Sequence, residues 1–140
     1  METLLGRPAD YRLLSPLDLA FVGDGVFDLL CREQLLQKGS CPVKKLHRRK
    51  TGLVNCQAQA RALEQLRPVL TEEEWAVALR GRNAHVGHVP KNASAADYHG
   101  ATALEALFGW LYLSGELSRV RELFGLVMEA AGDPAAERGA

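Results

Sequence analysis

The run LDLAFVGDGVFDLLCR, residues 17–32, constrains this chain more than any other stretch. Apolar side chains at Leu17, Leu19, Ala20, Phe21, Val22, Val26, Phe27, Leu29 and Leu30 surround the helical wheel instead of striping one side, the pattern of a helix buried in a core. Asp24 stands in its middle, flanked by Gly23 and Gly25. A lone ionised carboxylate there is strongly disfavoured, so it must be paired, protonated or bound to a cation. Glycines inside a helix each cost roughly 1 kcal/mol against alanine, and they usually allow another backbone, a side chain or a ligand to come close. The purely structural alternative makes Asp24 one end of a buried ion pair with a core arginine. For Asp28 that alternative is stronger, because Arg32 follows at i+4 in the preferred order for a helical ion pair.

Helix signals punctuate the rest of the chain. Ser15 as N-cap, Pro16 and Asp18 open a helix that runs to about Gln37 and stops at Gly39. Ser40, Cys41 and Pro42 start a second, basic helix that Gly52 weakens, and Asn55 caps a third that Pro68 stops. Thr71 and Glu74 form a capping box for a fourth, ended by Gly81. The segment RNAHVGHVPKNASAAD, residues 82–97, reads as a long loop of the kind that is often functional. Asp97 caps a fifth helix from about Tyr98 to Leu113, and a last one runs from about Leu117 to Ala131. No period-2 run exceeds four residues, so the expected class is all-α with six to seven helices.

At 140 residues the chain has room for one core. The expected division is a lead-in at 1–14, a domain at 15–131 and a flexible tail at 132–140. Cys31, Cys41 and Cys56 are odd in number and show no C-x-x-C spacing, so reduced thiols are expected. With neither a signal-like start nor a spanning apolar run, a soluble cytoplasmic protein without membrane contact is expected.

The fifth helix repeats the anomaly of the first. From Ala101 to Leu113 its only charge is Glu105. Two such acids meeting in a core would repel unless a cation lay between them, and oxygen ligands suit Mg²⁺. The net charge is zero, yet nine of the 17 basic residues lie in two blocks without acids, residues 41–63 and 75–96. Lys44, Lys45, Arg48, Arg49 and Lys50 make one cluster. Arg80, Arg82, Asn83, Lys91 and Asn92, around a glycine-containing loop, have the donor chemistry for phosphates and ribose hydroxyls of a duplex read by shape. Solvated faces and an ordinary loop are the structural alternatives. His85 and His88 could ligate zinc, but no third ligand is in view. Together the lone acids and the basic blocks point to metal-assisted phosphodiester hydrolysis.

FVGDGVFDLL, the basic LHRRKTGLVNCQAQA, RGRNAHVGHVPKN and LEALFGWLYL, taken in order over about residues 17–125, resemble Mini-ribonuclease III, a ribonuclease III catalytic domain without an appended double-stranded RNA-binding domain. The resemblance implies a ribonuclease III endonuclease-domain-like helical fold and a homodimeric, Mg²⁺-dependent endoribonuclease. Its implied substrate is double-stranded RNA, and its implied task is maturing the ends of the large-subunit (23S) ribosomal RNA precursor, with a ribosomal protein as a further candidate partner. By position, Asp24 matches the metal-binding aspartate of the G-D motif, Glu105 the glutamate of the E-A-L motif, and Asp28 an acidic position of the small enzymes that could support the metal. Full-length ribonuclease III carries further acids where this chain has Leu17, Ala20 and Thr102, and Gly25 stands where alanine or serine is usual. The matching loop and basic helix support RNA contacts by the two basic sets. The rival readings are a catalytically silent RNA-binding module of the same fold and a structural helical dimer with a basic partner-binding face. Two lone acids argue against the silent module.

Overall fold

A computed structural model of the chain describes residues 3–7, 10–84, 89–91 and 93–131. Six α-helices follow one another: α1 (Pro16–Leu36), α2 (Val43–Leu53), α3 (Cys56–Leu66), α4 (Glu72–Arg82), α5 (Ala95–Leu113) and α6 (Leu117–Ala130). Short 3₁₀ turns at Tyr11–Leu13 and Arg67–Val69 precede α1 and α4. No strand occurs among the described residues, so the all-α expectation holds. The starts of α1, α3 and α4 follow their expected capping residues. Ser15 and Asp18 close a capping box on α1, Thr71 and Glu74 close one on α4, and the Asn55 side chain accepts from the Ala58 amide at the start of α3.

The centre of the fold is α5, not α1. Every residue from Gly100 to Leu111 is buried except Glu105, and α1, α3 and α4 all pack on this one helix. Helix α1 is not enclosed on all sides. It buries Leu19, Ala20, Gly23, Phe27, Cys31 and Leu35, while Phe21 is 83% exposed and Leu17, Leu29 and Leu36 also face out of the chain. An apolar residue packs equally well against its own core or a partner, so a helical wheel alone does not separate the two.

Helices α1 and α5 meet backbone to backbone at Gly23 and Gly109. A Cβ on Gly23 would lie 1.6 Å from the Glu105 carbonyl oxygen, and one on Gly109 would lie 1.9 Å from the Leu19 carbonyl oxygen. Only glycine fits at either place. Just beyond the crossing, the Phe27 ring stands edge-on to Phe108 and Phe124, with centroids 5.4 and 5.6 Å apart. Gly25 adjoins no such neighbour, so close packing explains only one of the two flanking glycines.

Two boundaries depart from the sequence expectations. Gly81 does not end α4. It lies inside the helix, where a Cβ would come within 2.7 Å of the Ala106 Cβ on α5, so it serves close packing. Helix α5 begins at Ala95, because Ser94 and not Asp97 is its N-cap; the Ser94 hydroxyl accepts from the Asp97 amide. The loop before α5 is correspondingly shorter. Within the lead-in, the Leu4 amide donates to the Tyr112 hydroxyl, tying the segment to the end of α5. The expected tail at 132–140 lies outside the described residues.

Candidate active site

The glycine crossing brings together the two acids singled out by the sequence. Asp24 follows Gly23 on α1, and the Glu105 carbonyl is the atom against which Gly23 packs. The Asp24 carboxyl stands close enough to that of Glu105 to act on it directly. Burial pushes the Glu105 carboxyl up to about 8, the neighbouring Asp24 carboxyl adds to the rise, and a hydrogen bond from Gln59 opposes it. Asp24 itself is exposed, contrary to the expectation of a buried acid, and its partner is another carboxyl, not an arginine. The pair thus has one half-buried member and one open to solvent.

Gln59 is not among the site residues the sequence singles out. It is 3% exposed on α3, and its Nε2 donates to Glu105 Oε2 at 3.4 Å. Its signal was a polar residue on the apolar stripe with Ala62, Leu63 and Leu66. Cys56 begins the same helix, and its thiol is raised by burial and by the charges of Glu105 and Asp97.

Asp28 is engaged in ion pairs. Arg32 Nε lies 2.6 Å from one oxygen and Lys50 Nζ 3.1 Å from the other. Burial would raise the Asp28 carboxyl, but these two cations hold it below the usual carboxylate range. Lys50 therefore ties the basic helix α2 to α1 one turn beyond Asp24, leaving Lys44, Lys45, Arg48 and Arg49 exposed. Of the second basic set, Arg80, Asn83 and Lys91 are exposed, and Arg82 reaches Glu64 at 3.4 Å. That acid lies one residue past the acid-free block. Asn92, His85 and His88 fall outside the described residues.

The positions where the full-length enzymes carry further acids do not supply them here. Ala20 and Thr102 are buried, and the Thr102 hydroxyl donates to the Tyr98 carbonyl. Among the described residues no group of three or more His, Cys, Asp or Glu side chains could hold a metal. What remains is a two-carboxylate, oxygen-only donor pair. An ion that accepts one or two protein carboxylates and fills its octahedron with water and phosphate suits this pair. In this respect the residues fit Mg²⁺.

The family model described as Ribonuclease III domain matches residues 17–116. A curated protein named Mini-ribonuclease 3 from Symbiobacterium thermophilum is 44% identical over 127 residues, 91% of this chain and 95% of that protein. Another of the same name, from Brevibacillus brevis, is 46% identical over 114 residues, 81% of this chain and 85% of the relative. The crystal structure of a protein from Fusobacterium nucleatum superposes with a TM-score of 0.78 at 29% identity, covering 87% of this chain and 98% of that one.

Proposed function

The chain belongs to the ribonuclease III domain family, within it to the Mini-ribonuclease 3 enzymes, and from that premise we propose that it is a Mg²⁺-dependent endoribonuclease that cuts double-stranded RNA as a homodimer. The observation that carries this reading is the closely paired Asp24 and Glu105 carboxyls at the α1–α5 crossing, one acid half-buried and one facing solvent. Asp24 and Glu105 would hold the ion, which supplies an activated water and neutralises charge developing on the scissile phosphate. Gly23 and Gly109 fix the distance between the acids by setting the helix crossing. Lys44, Lys45, Arg48 and Arg49 on α2, with Arg80 and Arg82 in the last turn of α4 and Asn83, Lys91 and Asn92 beyond it in sequence, bind the duplex backbone. Lys50 has a different part: through Asp28 it orients α2 against α1.

One acid pair addresses one strand, so cutting both strands requires two copies. The exposed stripe of Leu17, Phe21, Leu29 and Leu36 on α1 is the face assigned to the partner. It borders a groove of about 1110 Å³ between α1 and α6, lined by Val22, Val26, Leu30, Phe124 and Leu126 among others. No helix among the described residues is long and apolar enough to cross a membrane. The proposed task, as the family resemblance implies, is maturing the ends of the 23S ribosomal RNA precursor.

The test is Asp24→Asn, incubated with duplex RNA in Mg²⁺ and in EDTA. Cleavage is expected to fall by several orders of magnitude while duplex binding persists, and the parent is expected to lose cleavage in EDTA. A folded Asp24→Asn protein that cuts at the parent rate ends the metal-site reading.

A further inference from the structure

With no group of three or more acids, histidines or cysteines gathered there among the described residues, the direction in which Glu105 points depends on what else touches it. Three elements surround its side chain. Helix α1 presents Asp24, α5 carries Glu105 itself, and α3 presents Gln59. Gln59 is the odd member of its helix: 3% exposed, on a stripe otherwise made of Ala62, Leu63 and Leu66. A buried primary amide needs partners for its polar atoms, and its Nε2 is directed at Glu105 Oε2. An amide is neutral and donates without deprotonation. It can therefore occupy one lone pair of a carboxylate without adding charge, leaving the remaining lone pairs for Asp24's side of the site. Helix α3 is itself held in place, since Asn55 caps it and anchors back to the Thr51 carbonyl at the end of α2.

We propose that Gln59 is a positioning residue for the metal site: its amide fixes the rotamer of Glu105, so that Glu105 and Asp24 present converging oxygens to a divalent cation. The inference rests on the reading of Asp24 and Glu105 as metal ligands. It gives this chain an orienting donor on α3 in a site that lacks acids at Ala20 and Thr102. Outer partners of this kind typically change metal affinity by about tenfold to a hundredfold when removed.

The experiment measures Mn²⁺ binding by calorimetry, RNA-free, on the parent, Asp24→Asn, Gln59→Met and Gln59→Asn proteins. Methionine keeps the volume and removes the donor; asparagine keeps the amide but withdraws it by one methylene. Both Gln59 variants are expected to bind Mn²⁺ about tenfold or more weakly, to need correspondingly more Mg²⁺ for half-maximal cleavage, and to bind duplex RNA without divalent ions within twofold of the parent. If either folded variant binds Mn²⁺ within twofold of the parent, the positioning role is wrong. A lowered melting temperature with unchanged Mn²⁺ affinity overturns it too, since that is a packing role. If Asp24→Asn binds Mn²⁺ as the parent does, the metal-site reading has failed, a distinct outcome.

Discussion

Gly23→Ala tests the α1–α5 crossing and the site together. The added Cβ would sit 1.6 Å from the Glu105 carbonyl oxygen, 2.5 Å from its carbonyl carbon and 2.8 Å from the Gly109 nitrogen. Real contacts of this kind begin near 3 Å, and all three atoms belong to the backbone of a buried helix, so no side chain can swing aside. The helices must separate by more than about 1 Å, a gap that forfeits roughly a quarter to a half of each dispersion contact across the crossing. The edge-on packing of Phe27 with Phe108 lies one turn away and shares that loss. Overpacking typically costs about 1–3 kcal/mol and occasionally more. With two rigid backbones involved we expect about 3–5 kcal/mol, a large part of the roughly 5–15 kcal/mol that stabilises most domains. Urea unfolding at fixed protein concentration, read by circular dichroism, measures it as a fall in midpoint. The control is Gly52→Ala in α2, where nothing lies within 4 Å of the added carbon, with an expected gain of about 0.5–1 kcal/mol. Because the displaced atom belongs to Glu105 itself, cleavage by the fraction still folded should fall about a hundredfold. A Gly23→Ala protein within about 1 kcal/mol of the parent would refute the backbone contact and the account of how the acids are brought together.

In EDTA, the high Glu105 carboxyl makes the folded state bind a proton that the unfolded state has released. That stabilisation is fully present below about pH 4.5 and lost as pH rises through about 8, so the melting temperature should fall across this window and Glu105→Gln should flatten the slope. Asp28 and Glu74, both held low, act in the opposite sense and only at more acid pH. Arg119→Met should cost about 3–5 kcal/mol in urea unfolding, because it strands Glu74, which is 5% exposed and held by two 2.8 Å bonds from Arg119; a change under 1 kcal/mol would show the pair to be dispensable. Arg82→Ala removes only an exposed pair with Glu64, so stability should change by less than about 1 kcal/mol, while duplex binding weakens for unrelated sequences with a shallower salt dependence; an unchanged affinity would give the loop another task.

The two acids were legible in the sequence because each is the sole charge in an apolar helical stretch, and so were the all-helical class and most helix starts, which depend on local caps. Relations between helices were not. Gly81 resembles a terminator because glycine ends many helices, and only the presence of Ala106 across the interface shows that it was needed for clearance. Asp97 is an acceptable cap, but Ser94 three residues earlier offers its hydroxyl to the Asp97 amide, and the structure uses that bond. The pairing of Glu74 with Arg119 joins residues 45 apart, with no local pattern to announce it. Asp28 reads in the sequence as metal support or as an ion pair with Arg32, and its second cation, Lys50, lies on another helix where no local pattern announces it.

The burial of α1 carries a further consequence for how the site works. Its apolar residues divide between two opposed requirements: Leu19, Phe27, Cys31 and Leu35 fill the core of one chain, and Leu17, Phe21 and Leu29 stay uncovered. Asp24 lies between these faces, three residues past Phe21 and one past Gly23. Burying Phe21 against a partner is favourable by about 1.5–3 kcal/mol, and doing so restricts the same helical turn that carries Asp24. Assembly and metal binding should therefore be coupled through α1. Phe21→Ala is expected to weaken self-association in sedimentation and, at protein concentrations where the variant is monomeric, to weaken Mn²⁺ binding as well, although Phe21 offers no ligand. Raising the concentration until the variant associates should restore both. If monomeric Phe21→Ala binds Mn²⁺ as tightly as the assembled parent, the site is complete within one chain and the exposed stripe serves only to place a second site opposite the other strand.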